Sequence, residues 1–141
     1  MSLPFPSLAF FQALQQRTKE AADLFEKLGT CDTRFGVKVG DEDLYSVAFE
    51  VYECVEVSEG GDPKELDFVL VGSLETWKDM LRSIVTHGGA DAAHTLNTLT
   101  HLGQTLRADF VDPEGHDKLF RFMATLQEFF DQAQHLEVQL G

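Results

Sequence analysis

The sequence predicts an α+β fold: a single antiparallel sheet, helices packed on one of its faces, and a long C-terminal amphipathic helix. Three observations predict it. Apolar residues recur at three- and four-residue steps near the start, in the middle and at the end of the chain. Between residues 31 and 51 they recur at every second position instead, in two runs around a Gly/Asp turn. The resulting order is helix, hairpin, strand, two helices, strand and long helix, which suits helices gathered on one side of a sheet. A length of 141 residues is what one core can serve, so residues 1–141 are read as one domain.

The first element is a helix in which Phe11, Leu14, Thr18, Ala21, Phe25 and Leu28 share a face. Ser7 is its N-cap after Pro6, and Gly29 is its stop. The period then becomes two. Cys31, Thr33, Phe35, Val37 and Val39 alternate with polar residues and glycine, and Tyr45, Val47, Phe49 and Val51 do the same after Gly40-Asp41-Glu42-Asp43. Pairing Val39 with Tyr45 sets Val37 against Val47, Phe35 against Phe49 and Thr33 against Val51. On the other face it sets Arg34 against Glu50. That register puts Cys31 opposite Glu53 and turns Cys54 to the other face, which argues against a disulfide between them.

An acidic, Gly-containing stretch from Glu56 to Lys64 follows. Leu66-Asp67-Phe68-Val69-Leu70-Val71 is then apolar on both faces and reads as a more central strand. Ser73 caps a helix striped by Trp77, Met80, Leu81, Ile84 and Val85, which ends at Gly88-Gly89. Asp91 caps a shorter helix with Ala92, Leu96, Leu99 and Leu102 inward. Thr105 to Val111 is a last short strand. Asp112-Pro113-Glu114 then opens the closing helix, whose apolar positions Leu119, Phe122, Leu126, Phe129, Ala133 and Leu136 are widened by Phe120, Met123 and Phe130.

Composition narrows the partners. There are 11 basic and 24 acidic residues, a net charge of −13, which argues against a nucleic-acid backbone or stable association with an anionic bilayer. No run reaches the ~20 apolar residues of a membrane span. The N-terminus lacks a signal-peptide pattern, and the C-terminus carries no lipidation box. Two cysteines make neither a disulfide scaffold nor a zinc pattern, so a reduced, cytoplasmic protein is expected.

Catalytic signals are absent. His87, His94 and His101 lie seven apart, about 10.5 Å per step along a helix, and Gly88-Gly89 interrupts the first step. One metal needs ligands near ~2 Å from its centre, so they read as a solvated face, with no metal and no cofactor expected. There is no nucleophile elbow, neither cysteine lies in a nucleophile motif, and Gly60-Gly61 and Gly88-Gly89 read as turns rather than phosphate loops. His116-Asp117 reads as polar first-turn sequence.

The informative feature is aromatic. Twelve Phe stand against two Tyr and one Trp. Phe120, Phe122, Met123, Phe129 and Phe130 cover more than one narrow stripe of the last helix. One sheet face does not absorb that surface, and the surplus meets a ligand cavity, another helix or a second subunit.

The run Leu66-Asp67-Phe68-Val69-Leu70-Val71-Gly72-Ser73-Leu74-Glu75-Thr76-Trp77-Lys78-Asp79-Met80-Leu81 resembles the strand-then-helix signature of the sterol carrier protein type two (sterol-binding, lipid-transfer) domain family. An Asp-led apolar strand enters a helix with Trp in its first turn. The short helix, Gly103 leading into the strand Gln104 to Asp109, and the closing helix extend the resemblance over nearly the whole chain. It implies a non-catalytic apolar tunnel between sheet and helices for a fatty acid, acyl-CoA, sterol or similar lipid. The implied lining is Trp77 and Leu81, Leu96 and Leu99, and Phe122, Met123, Leu126, Phe129 and Phe130. Two other readings stay open: a homodimerisation or protein-docking module with a vestigial cavity, and a cavity hiding an acid/base pair. The acidic shell favours delivery of a ligand to a protein over exchange between anionic membranes.

Overall fold

The computed structural model describes residues 2–101, 105–111 and 113–140, without the side chain of His101. The expectations for Leu102, Gly103, Gln104 and Asp112 lie outside the described residues. Five strands form the main sheet: β2 (Thr33–Val39), β3 (Asp43–Glu50), β4 (Glu53–Glu59), β5 (Phe68–Gly72) and β6 (Leu106–Asp109), in the order β4-β3-β2-β5-β6. A two-residue strand at each end, β1 (Leu3–Pro4) and β7 (Val138–Gln139), makes a separate parallel pair.

The sheet is mixed, not antiparallel throughout, because β2 and β5 run parallel. The cause is β4, whose second half falls in the acidic stretch. After two hairpin reversals β4 runs in the direction of β2. The chain then crosses through a 3-10 turn at Pro63–Glu65 and enters β5 in that same direction. The alternation of β4 is obscured by a bulge. Ala48 pairs with Glu56 but Phe49 with Cys54, so Val55 is the extra residue and the side-chain parity changes there. As a result Cys54 is buried in the core, and both cysteines are free.

The β2–β3 register differs by two residues from the expected one. Val37 pairs with Tyr45 and Val39 with Asp43, which leaves a three-residue loop headed by Gly40 at φ 67°. A shift of two keeps every side chain on its face, so Phe35, Val37, Tyr45, Val47 and Phe49 still point inward. Arg34 now faces Ala48, and its carboxylate neighbour is Glu56 at 3.9 Å rather than Glu50.

Two expected helices are each divided. Ser7 caps α1 (Leu8–Glu20) by accepting the Phe10 amide at 3.1 Å. The buried Thr18 hydroxyl bonds back to the Gln15 carbonyl at 2.7 Å and accepts the Cys54 amide at 3.3 Å. Such back-bonding bends helices. The chain turns at Ala21 and restarts as α2 (Ala22–Leu28), which brings Phe25 within 6.3 Å of Phe49. Ser73 caps α3 (Leu74–His87), and Gly88 ends it in the left-handed conformation at φ 76°. Asp91 accepts the Ala93 amide in a turn, and α4 spans Leu96–His101.

The long closing helix is α5 (Pro113–Arg121) and α6 (Met123–Asp131), followed by a 3-10 turn at Gln132–His135. The break falls at Phe122, with φ −105° and ψ 12°. Two docking surfaces explain it. Gly115 and Leu119 are buried as α5 leans on the start of β5, while Leu126, Phe129 and Phe130 of α6 enter the central core. Phe129 is the hub there, edge-on to Phe35 at 6.4 Å and to Phe49 at 5.4 Å. Such edge-to-face pairs add to simple burial.

Candidate functional site: a cleft along the β6 edge

A cleft of about 900 Å³ opens along β6. Leu106 and Ala108 of β6 and Gly72 of β5 supply one wall, and His116, Leu119 and Phe120 of α5 supply another. Thr100 of α4, Ser73 at the cap of α3 and the Gly40-Asp41 turn complete it. Arg107, whose side chain is on the opposite face of β6 from Leu106, also lines the space, so the cleft wraps around the free edge of the sheet.

The backbone at Gly72 explains this end of the cleft. A Cβ there would collide with the Leu106 side chain and approach Trp77 Nε1 to 3.2 Å. Trp77 donates from Nε1 to the Lys38 carbonyl at 3.0 Å, which pins α3 to β2, and the Gly40 amide donates to the Gly72 carbonyl at 2.8 Å. The indole therefore lies directly behind the cleft wall. At the other end His116 stands between two rings, 5.1 Å from Phe110 and 4.6 Å from Phe120. Phe110 and Phe120 are 43% and 41% exposed, and Val111 beside them is 69% exposed.

The side chains expected to line a tunnel lie deeper. Trp77, Leu81, Leu96, Leu99, Phe122, Leu126, Phe129 and Phe130 are all buried in one core cluster, and Met123 packs against it half-buried. The structure brings them together, with Trp77 and Phe130 5.6 Å apart, but none of them lines the 900 Å³ cleft. The sequence marks none of the cleft's own residues as a lining, Leu106, Phe110, His116, Leu119 and Phe120 among them. A usable signal is the apolar Phe110-Val111 pair directly after a short strand.

The chemistry of the cleft is spare. Its titratable side chains are Asp41, Arg107 and His116. The Arg107 guanidinium is bound in a fork by Asp109, Nε to Oδ1 at 2.8 Å and the second nitrogen to Oδ2 at 3.0 Å. Elsewhere burial pushes the Cys31 and Cys54 thiols up to about 12, the wrong direction for nucleophiles. His94 Nδ1 lies 2.8 Å from Asp91 Oδ1, and His87 is 4.0 Å from the same carboxylate. Among the described residues no His, Cys, Asp or Glu cluster is arranged to hold a metal ion. A second, smaller hollow of about 470 Å³, beside the β2 and β3 ends, is lined chiefly by charged groups, including Arg34, Glu50, Asp67 and Lys118.

Two solved structures share this architecture. One, described as sterol carrier protein 2, superposes with a TM-score of 0.64 over 91% of this chain and 95% of its own, at 18% identity. The chain has the sterol carrier protein 2 fold. The other is a conserved hypothetical protein from Thermus thermophilus, for which sterol carrier protein is the suggested identity. It superposes with a TM-score of 0.67 over 94% of this chain and 90% of its own, at 16% identity. No protein-family model matches the sequence, and no curated protein matches it significantly. This version of the sterol carrier protein 2 fold has no helix, among the described residues, long and apolar enough to cross a membrane.

Proposed function

We propose that the protein, with residues 1–141 acting as one unit, binds an apolar, lipid-like ligand and carries it unchanged. The observation that supports this reading is the cleft itself. Its volume of about 900 Å³ falls within the roughly 300–1,000 Å³ of ligand pockets. Leu106, Ala108, Phe110, Leu119 and Phe120 give it apolar walls, and its few polar groups include an arginine already engaged by Asp109. Burying about 300 Å² of acyl chain at roughly 25 cal/mol per Å² contributes about 7 kcal/mol. Before ordering costs that corresponds to a dissociation constant of about 10 μM, so after them binding weaker than micromolar, with weak discrimination between chains, is expected. In this reading the cluster of Trp77, Leu81, Leu96, Leu99, Phe122, Met123, Leu126, Phe129 and Phe130 is the inner wall, reached when an apolar tail displaces Leu106 or Leu119. The net charge of −13 favours hand-over to a protein rather than to an anionic bilayer, and a cytoplasmic setting fits the two free cysteines.

The test uses the single tryptophan. Trp77 lies behind the Gly72–Leu106 wall, so its emission should be quenched by energy transfer to cis-parinaric acid as the cleft fills. Saturable transfer that oleate displaces is expected. Replacing Phe120, which is exposed, or Ala108 with Glu should weaken it while the circular dichroism spectrum is unchanged. Absence of saturable transfer, or transfer indifferent to both substitutions, overturns the reading.

A further inference from the structure

We propose that β6 is a self-complementary docking edge for a second copy of this chain, joined strand to strand about a two-fold axis at Ala108. Three observations carry it. First, β6 is a terminal strand of the main sheet, and among the described residues no strand pairs with its outer edge. Second, the cleft is lined by residues from both faces of β6, Arg107 on one and Leu106 and Ala108 on the other, so among the described residues the space beside the edge is open. An unpaired edge presents a row of amide and carbonyl groups that another strand can satisfy.

The third observation is the charge pattern, which selects both the occupant and the register. In a two-fold antiparallel pair, facing residues must lie on the same face of the sheet, so the axis passes through a residue rather than between two. An axis at Arg107 sets two guanidiniums face to face, and an axis at Asp109 sets two carboxylates face to face. Only an axis at Ala108 sets Arg107 opposite Asp109 of the partner subunit, and Asp109 opposite Arg107 of the partner subunit. The two side chains already share one face, forked together at 2.8 and 3.0 Å and exposed by 70% and 51%. Pairing extends that fork into an alternating quartet of charges, stronger than an isolated surface pair. On the inner face the same register sets Leu106 opposite Phe110 of the partner subunit, covering a ring that is 43% exposed in the monomer.

The ten strands of two copies would then form one continuous sheet. The partner strand would also close the outer side of the cleft. That last consequence rests on the proposed ligand binding, but the pairing does not, and it is measured without ligand. A four-residue edge with flanking Phe110 and Val111 is smaller than the roughly 1,600 Å² of a standard stable interface. A reversible dimer with micromolar dissociation is therefore expected.

Sedimentation equilibrium on the full chain tests the proposal. The unaltered protein should dimerise. R107D sets carboxylate against carboxylate and should raise the dissociation constant at least about tenfold, and D109R should do the same with guanidiniums. The double exchange R107D/D109R restores complementarity and should restore dimerisation. An equimolar mixture of the two single variants should form a heterodimer, because every carboxylate then faces a guanidinium. All three variants change exposed side chains, and circular dichroism checks that they fold. A protein that stays monomeric at hundreds of micromolar overturns the proposal. So does a dimer indifferent to R107D, or one that the double exchange fails to restore.

Discussion

Lys118 of α5 reaches down to Asp67 at the start of β5, with Nζ 3.3 Å from Oδ2. The same oxygen accepts the Thr33 hydroxyl at 2.7 Å and the Arg34 amide at 3.0 Å, so one carboxylate oxygen joins β2, β5 and α5. Asp67→Ala leaves the buried Thr33 hydroxyl and a backbone amide without their acceptor, and should cost about 1–3 kcal/mol in urea unfolding. Lys118→Met removes only a partly screened ion pair and should cost less than about 1 kcal/mol. Equal losses would show that the carboxylate acts through Lys118 alone.

Gly115 sets how closely α5 approaches the sheet. A Cβ there would run into the Asp67 carbonyl and lie 3.1 Å from Phe110 Cβ. Gly115→Ala should therefore destabilise the protein by about 1–3 kcal/mol, although alanine is the better helix former by about 1 kcal/mol. A stabilised variant in thermal denaturation would contradict the close packing.

Burial holds the Cys31 and Cys54 thiols neutral, each raised from 9.0 to about 12. In the unfolded chain they ionise near the ordinary value. Their neutral, buried form thus contributes stability that is complete below about pH 9 and is lost as pH rises from there toward 12. Labelling of the native protein by a thiol reagent at pH 8 should be slow, with the rate following unfolding as urea is added. One thiol that reacts at once without denaturant would refute this.

Val51 occupies the left-handed region at φ 59°, in the turn between β3 and β4, and its side chain is 52% exposed. A β-branched residue is strained there, and what holds it is local: its amide donates to Asp32 Oδ1 at 3.1 Å and its carbonyl accepts the Cys31 amide. Val51→Gly relieves the strain without removing either bond. An increase of about 0.5–1 kcal/mol in stability is expected, read from the urea midpoint at unchanged slope.

Asp131 of α6 holds the connection between α3 and α4. Its Oδ1 accepts the Ala90 amide at 3.2 Å and Gln127 Nε2 at 2.9 Å, and burial raises its pKa. A carboxyl raised in the folded state stabilises the fold most while protonated, and that contribution is lost as pH climbs through the raised value. Asp131→Asn keeps an acceptor oxygen and removes the charge. Its unfolding free energy should equal or exceed that of the unaltered protein at pH 7, and vary less between pH 4 and 7. A variant weaker at pH 7 and equal at pH 4 would reverse the assignment.

Local signals with a stereochemical cause read directly from the sequence. Ser7 and Ser73 cap the helices expected of them, Gly29 and Gly88 end helices, and the inward set of β2 and β3 is correct although the register moved by two. Where two effects compete, the sequence is less legible. Glu56 and Glu59 look like loop because β4 is an edge strand with a bulge at Val55. The unbroken apolar stripe from Leu119 to Leu136 gives no sign that α5 and α6 dock on different surfaces. The aromatic residues stand out in the sequence as one group, but burial divides them. Phe129 and Phe130 are core, whereas Phe110 and Phe120 border the cleft; on the closing helix that distinction is made by the break at Phe122 and not by spacing.

The short ribbon in which Leu3 pairs with Val138 and Pro4 with Gln139 has a consequence for how the molecule is made. Two segments more than 130 residues apart in the sequence are joined there, the Leu3 amide donating to the Glu137 carbonyl at 2.7 Å. That contact cannot form before residue 138 has been made, so the two segments come together only after the sheet and α6 have brought the later one back across α1. Contacts of such sequence separation form late and slowly. The ribbon is thus a seam that closes late, after the sheet and helices it rests on.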